Sequence, residues 1–293
     1  MSTFVLLTIT GLGLGAMYFL VASGLSLIYG LMGVLNFAHG TFITLGAYYA
    51  WWVAGQLGGS VWVQLIAGAA AGIAAGALTA AAIELVFIRP LYRRPVEQVL
   101  VTVGLALALG ALVQGIWGLD AKPFPVPAWM VDTTTVFGAA VPNDRFVEIG
   151  AAVVVLLGLT AFLRFTRFGL VIRAGVENRA MVSALGVDVR RAFTIVFALG
   201  GALAALAGVL SGVYYGVVDP SRGTALLIYA FIVVVIGGFG SITGSAVAAV
   251  AVGLLQQYAN YYASSGTGDL AVVLLLAGVL LVRPGGLAPK VAH

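Results

Sequence analysis

The chain has 293 residues, 62% of them hydrophobic and 8% charged, with 14 basic against 10 acidic side chains for a net charge of +4. A soluble domain averages about 25% charged residues, so this chain cannot cover itself with a wettable surface, and an attached soluble domain is excluded. The absence of cysteine excludes disulfides, thiolate metal sites and cysteine nucleophiles.

At about 20 residues per crossing the chain has room for roughly eight to ten spans. No Asp, Glu, Lys or Arg occurs before Glu84. Met1, Ser2 and Thr3 give no basic region ahead of the first apolar run, which reads as a retained span and not a cleaved signal. Residues 4–35 are apolar and would extend about 48 Å as a helix at 1.5 Å per residue, more than one span needs. Gly24, Gly30 and Gly33 offer break points. The sequence Asn36-Phe37-Ala38-His39-Gly40 then interrupts the next apolar run. A broken helix is predicted there, tolerable only where protein or a wet cavity satisfies the freed backbone. Asn36, His39 and Thr41 are the candidate pathway-lining residues. Asn36 and His39 read more readily as structural groups that close a hydrogen-bond network at the break. No charge decides whether residues 24–54 cross or re-enter, so the side of the N-terminus stays open.

The next spans run over about 62–88 and 98–118. Residues 119–147 form one long external loop, with Pro123, Pro125, Pro127 and Pro142 and a mixed charge set. Spans follow at about 148–166, 193–216, 225–239, 243–262 and 269–283. Arg89, Arg93 and Arg94 form one basic group, six arginines between 164 and 191 a second, and Arg283 with Lys290 a third. The positive-inside rule places all three in the cytoplasm, so the net charge follows topology and does not point to nucleic acid. Trp51, Trp52, Trp62, Trp117 and Trp129 fall at the opposite span ends, as do Tyr214, Tyr215, Tyr258, Tyr261 and Tyr262, which is the pattern of an interfacial aromatic belt. Small residues recur every fourth position in two rows. One is Gly68, Gly72, Gly76, Ala80; the other is Gly200, Ala204, Gly208, Gly212, Gly216. Such rows let helix backbones approach closely, within this bundle or at a seam with a second subunit.

The loop from Arg164 to Arg191 carries six arginines against Glu177 and Asp188. A central arginine costs about 2.5–3.5 kcal/mol on insertion scales, so the loop faces water. Residues Gly175 to Gly186 read as a short helix with Glu177 in its first turn, where the helix dipole favours an anion. Met181 and Leu185 share a face, Gly186 is a C-terminal stop, and Asp188 caps the next span. This helix either rests on anionic headgroups or docks on a protein.

No G-x-x-x-x-G-K-[ST] motif is present, and Ala121 and Pro289 precede the two lysines, so no P-loop exists. His39 and His293 are the only histidines, and no H-E-x-x-H or G-x-S-x-G motif occurs. Charges inside the spans are nearly missing, with Glu84 near an inner end and Asp269 near an outer one. That scarcity argues against proton- or sodium-coupled transport and against a voltage sensor. The expected fold is an all-α polytopic transmembrane helix bundle of about eight to nine spans, with a discontinuous helix near residues 36–40.

Four blocks carry a resemblance. Gly24-Leu25-Ser26-Leu27-Ile28-Tyr29-Gly30 with Gly33-Val34-Leu35-Asn36-Phe37-Ala38-His39-Gly40 resembles the N-terminal signature of branched-chain amino acid ABC transporter permeases of the LivH type. Arg173 to Val187 resembles that family's cytoplasmic coupling loop, Gly237-Gly238-Phe239-Gly240-Ser241-Ile242-Thr243-Gly244 its glycine turn, and Arg283-Pro284-Gly285-Gly286-Leu287 its C-terminal motif. Gly286 departs from the pattern, where a polar residue is commoner. The resemblance implies a single permease domain over residues 1–293 of an ABC importer in a bacterial inner membrane, with a coupling loop at about 167–191 and an external loop at about 119–147. It implies a second, LivM-like permease subunit, two cytoplasmic ATP-binding subunits that hold the ATP and Mg, and a periplasmic or extracellular solute-binding protein. This chain would bind no cofactor and no metal and catalyse nothing itself. Glu177, Asn178, Arg179, Met181, Leu185 and Gly186 would form the contact with the ATPase. Branched-chain amino acids are the implied cargo. Urea or short-chain amides on the same fold, or a passive channel, are the rival readings.

Overall fold

The computed structural model describes residues 2–33, 35–92, 94–177, 181–182, 188–283 and 285–287. The helices are α1 (Ser2–Met32), α2 (His39–Gln56), α3 (Val61–Ile83), α4 (Pro95–Trp117), α5 (Ala128–Val131), α6 (Asp144–Phe165), α7 (Arg167–Glu177), α8 (Val189–Tyr215), α9 (Arg222–Gly237), α10 (Ile242–Tyr262) and α11 (Thr267–Val282). A π-helical turn (Glu84–Ile88) and a 3-10 turn (Arg89–Leu91) continue α3. Among the described residues, α1, α3, α4, α6, α8 and α10 are long and apolar enough to cross a membrane, and α9 and α11 are shorter apolar helices. The chain is an all-α polytopic bundle, as its apolar runs predict, and the helix limits fall within a few residues of the expected spans.

The bundle has two chemically distinct ends. At one end Tyr48 and Tyr49 meet Trp117, Trp62 faces Trp129, and Tyr214 lies against Tyr215. At the other lie Arg89, Arg94, Arg164 and Arg167 with the carboxyl end of α1. Helix α1 starts at the aromatic end, where Phe4 packs on Tyr258 and the Thr8 and Tyr258 hydroxyls are 2.8 Å apart. It finishes at the arginine end, where Tyr29 packs on Phe239. The N-terminal side that charge left open is thus the aromatic side.

Helix α1 is unbroken over 31 residues, so Gly24 and Gly30 are not the break points expected of them. They are places of close approach instead. A Cβ on Gly24 would lie 2.7 Å from the Gly200 carbonyl, and one on Gly30 would lie 3.1 Å from the Gly240 Cα. The helix stops at Gly33, whose φ of +66° only glycine adopts without strain. The chain then turns back into the bundle. Phe37 packs on Phe231 in the middle of α9, and α2 begins beside Val21 of α1. From Val21 to Met32, at 1.5 Å per residue, that start lies about 16 Å above the lower end of α1. Residues 24–54 therefore cross from the arginine end to the aromatic end, with α2 spanning only the aromatic half of that crossing.

Helix α8 is the hub, packed against α1, α2 and α3. The glycine rows make these contacts: Gly68 meets Ala50, Gly72 meets Gly46, Gly76 meets Gly201 and Ala205, Gly208 meets the Ile43 carbonyl, and Gly212 meets the Phe124 ring. Both rows are occupied within this subunit. Gly216 belongs to neither contact; it ends α8.

The loop between α4 and α6 is folded. Strand β1 (Lys122–Pro123) pairs antiparallel with β4 (Val217–Val218), and β2 (Thr133–Val136) forms a hairpin with β3 (Ala139–Pro142). The Asn143 amide donates to the Trp129 carbonyl at 2.8 Å and pins the hairpin to α5. At the opposite end, Leu287 N–H donates to the Ile236 carbonyl at 2.8 Å. Gly286 has a φ of +82°, and a Cβ there would lie 2.6 Å from Gly238. A side chain has no room at this position.

Candidate coupling and translocation sites

The arginine end holds the predicted lever. Helix α7 begins at Arg167, ahead of the start expected at Gly175, and is described as far as Glu177. The apolar face starts earlier than the sequence reading allowed: Gly169, Ile172 and Gly175 are buried three apart, while Arg167, Leu170 and Arg173 are exposed. Met181 and Val182 are helical; Met181 is exposed and Val182 is buried in the core. Asn178, Arg179, Leu185 and Gly186 lie outside the described residues. Asp188 caps α8, its Oδ1 accepting from Arg190 N–H at 3.1 Å, and its other oxygen lies 3.1 Å from Arg191 Nε.

Next to this loop α3 and α8 are tied together. Glu84 is fully buried at the start of the π-helical turn. Its carboxylate accepts from Thr194 of α8 at 2.6 Å and from the Tyr92 hydroxyl, and lies 3.6 Å from Arg89 Nε. Arg89 Nη2 in turn donates to Thr194 Oγ1 at 3.0 Å. Burial, and then the neighbouring carboxylate, push the Tyr92 hydroxyl above its usual range, so it remains a donor. Tyr92 also meets Phe193 edge-on.

At the break, Asn36 Oδ1 accepts from Ala38 N–H at 3.1 Å, and His39 N–H donates to the Asn36 carbonyl at 3.2 Å. His39 Nε2 lies 3.1 Å from the Val21 carbonyl, which requires the proton on Nε2. Its Nδ1 and the Asn36 Nδ2 are buried with no hydrogen-bond partner. Thr41 is buried two residues further along α2. The three residues therefore face the bundle interior between α1, α8 and α9. Part of their polarity closes the break, and part remains unused.

The aromatic end holds a polar cluster that the sequence reading did not single out. Asp144, Arg145 and Glu148 form the head of α6 and are buried or nearly so, with side-chain exposures of 9%, 12% and 0%. The statement that charges are nearly absent from the spans is corrected here. Asp144-Arg145-x-x-Glu148 puts an arginine within one helical turn of two acids, just ahead of an apolar run, and that spacing was the available signal. Arg145 Nη1 is 3.1 Å from Asp144 and 3.5 Å from Glu148, and its guanidinium lies over the Tyr214 ring at 3.4 Å. Arg222 lies over Tyr215 at 3.9 Å and pairs with Asp219 at 3.0 Å. Burial alone would raise the Asp219 carboxyl, but hydrogen bonds from Ser221 and the Arg222 charge bring it below its usual value. Tyr18 stacks on Tyr229 and donates to Gln256 Oε1 at 2.6 Å; Gln256 and Tyr229 both donate to Asp269 at 2.7 Å.

Comparison with known proteins adds the following. A family model described as the permease component of the branched-chain amino acid transport system matches residues 7–283. The LivH high-affinity branched-chain amino acid transport permease of Salmonella typhimurium is 31% identical over 94% of this chain and 92% of its own length. The corresponding BraD protein of Pseudomonas aeruginosa is 32% identical over 95% and 94%. The ribose import permease RbsC of Escherichia coli is 29% identical over 61% of this chain and 67% of its own length. No solved structure matches.

Proposed function

From the premise that this chain belongs to the family of branched-chain amino acid transport permeases, over residues 7–283, we propose that it is the membrane subunit of an ATP-binding-cassette importer of leucine, isoleucine and valine. The carrying observation is the match to LivH and BraD along nearly the whole of each protein. The chain has no P-loop of its own, so ATP and its Mg are held by two partner subunits at the arginine end. A second, LivM-like permease completes the membrane part, and a solute-binding protein delivers cargo at the aromatic end.

The coupling contact is residues 176–186, with Glu177, Asn178 and Arg179 as polar contacts and Met181 and Leu185 as apolar anchors. Its push enters α8 directly, because Asp188 starts that helix. It reaches α3 through the Glu84–Thr194 tie and α2 through the contact at Gly208. Two packed arrangements of these helices alternate access to the interior, where Asn36, His39 and Thr41 lie.

Purification through a tag on this chain is expected to bring down two P-loop ATPases. Vesicles holding the purified assembly, its binding protein and ATP are expected to take up leucine in preference to urea or ribose. Uptake by this chain alone without ATP would establish the channel reading, and preference for urea would replace the cargo. Reversing Glu177 and Arg179 together is expected to lower ATP-driven uptake at least ten-fold while membrane insertion is unchanged. Retained uptake in that variant would remove the lever.

A further inference from the structure

The tip of the outer hairpin carries a residue that its turn does not favour. Strands β2 and β3 are joined by Phe137 and Gly138, with φ of +47° and +80°. Positive φ at both central residues is what a type I′ turn requires, and asparagine followed by glycine meets it best. A bulky side chain meets it only under strain. Among the described residues Phe137 is the only one other than glycine with a positive φ. It is also the most exposed large apolar side chain among them, at 88%. The hairpin that carries it is held from behind: β3 lies against α1 with Ala139 and Val141 buried, and the Asn143 amide pins its base to α5. Backbone strain persists where the surroundings impose it, and it collects at functional positions. Strain and an apolar ring in water both work against this chain alone, so the favourable contact of the ring lies outside it. A fixed stem lowers the entropy lost when a partner covers the tip.

The neighbours of the ring choose between lipid and protein. A lipid-facing surface is apolar throughout, as on α4, where Leu100, Leu107 and Leu112 are exposed. Below Phe137 the exposed positions of β2 are Thr133, Thr134 and Thr135, with Asp132 at its foot. One aromatic anchor above a polar rim is the make-up of a protein interface. Charge narrows the partner further. At this end Arg145 pairs with Asp144 and Glu148, and Arg222 with Asp219. The exposed acids that remain are Asp120, Asp132 and Asp269, against one part-exposed lysine, Lys122. None of these three acids is ion-paired among the described residues. A complementary partner face is therefore basic around an apolar pocket.

We propose that the β2–β3 hairpin is a docking post for the solute-binding protein, with the Phe137 ring in an apolar pocket of that protein and Asp132 beside its lysines or arginines. The proposal rests on the importer reading and names the contact that holds its external partner. The test uses the purified transporter in phosphatidylcholine nanodiscs and the leucine-loaded binding protein that drives its uptake. Phe137→Asn keeps the turn and relieves its strain. It is expected to raise the Kd for the binding protein at least ten-fold, while the melting temperature of the transporter holds or rises. Phe137→Tyr is expected to bind within about three-fold of the unaltered protein, since the ring remains. Asp132→Lys is expected to slow association about three-fold or more with dissociation little changed. An unchanged Kd in Phe137→Asn would overturn the docking post. A nitroxide on Thr135→Cys, close to the tip in a chain with no cysteine of its own, leaves Phe137 in place and reads its surroundings directly. Immobilisation by the binding protein is expected. Relaxation by membrane-dissolved oxygen in preference to an aqueous nickel chelate would seat the hairpin in lipid and overturn the proposal. Loss of the second permease from the Phe137→Asn preparation would assign the ring to that subunit, with the same consequence. Leucine uptake is measured in parallel. Uptake that persists with an unchanged Kd in Phe137→Asn removes the docking post and leaves the importer; absence of uptake by the unaltered assembly removes the importer reading and the docking post with it.

Discussion

Individual residues in this bundle act mostly by what they leave out. Gly208 of α8 has no side chain because the Ile43 carbonyl occupies the place where a Cβ would stand. In lipid there is no hydrophobic drive between helices, and close backbone contact supplies the attraction. Gly208→Leu is expected to destabilise the bundle by about 1–3 kcal/mol or more through overpacking, seen as a lower melting temperature in detergent. Gly104→Leu on the open face of α4, where nothing lies near the added atom, is expected to be neutral in the same measurement. Sequence showed that both rows of small residues pack. It could not show against what, since a glycine carries no mark of its partner. The Asn36 and His39 ambiguity has the same root. Their types fit a break more readily than a pathway, and only the contacts to Ala38 and Val21 assign one part of each side chain.

At the level of elements, the tie between α3 and α8 is the feature with mechanical consequences. Glu84 serves two helices and the turn after α3 with one carboxylate, and its partner Thr194 sits in the early part of the helix that follows the coupling loop. The π-helical turn around it is a departure of the kind found at functional positions. Glu84→Gln keeps the shape and removes the charge. It is expected to cost about 1.5–3 kcal/mol of stability, the range for hydrogen bonds to charged groups. It is also expected to lower the uptake obtained per ATP hydrolysed while the partner ATPases keep turning over. A variant that lowers both rates in equal proportion would make the tie a matter of stability alone. In the sequence Glu84 was one isolated acid near a span end. Its link to Thr194 joins positions 110 residues apart, beyond the reach of any local pattern. Helix α7 is a second case: its buried face of Gly169, Ile172 and Gly175 shows only in the fold, so the sequence offered Gly175 as the helix start.

For the whole molecule the decisive result is sidedness. The amino end of α1 shares the aromatic end with the hairpin and the head of α6. Ser2→Cys and Thr135→Cys are expected to react with a membrane-impermeant thiol reagent in intact cells, and Phe165→Cys only after permeabilisation. Protection of Ser2→Cys in intact cells would contradict the assigned end. Composition, the spacing of apolar runs and the separation of arginines from tryptophans were enough to determine a polytopic helical bundle and its two faces. Each of those follows from the local cost of placing a residue in hydrocarbon or at its edge. Three features were left to the folded chain: the return of residues 33–38 into the bundle, the start of α2 at mid-depth, and the gathering of Asp144, Arg145 and Glu148 beside Tyr214. Inside a membrane protein a polar group is tolerated only by its neighbours, and those neighbours come from distant helices.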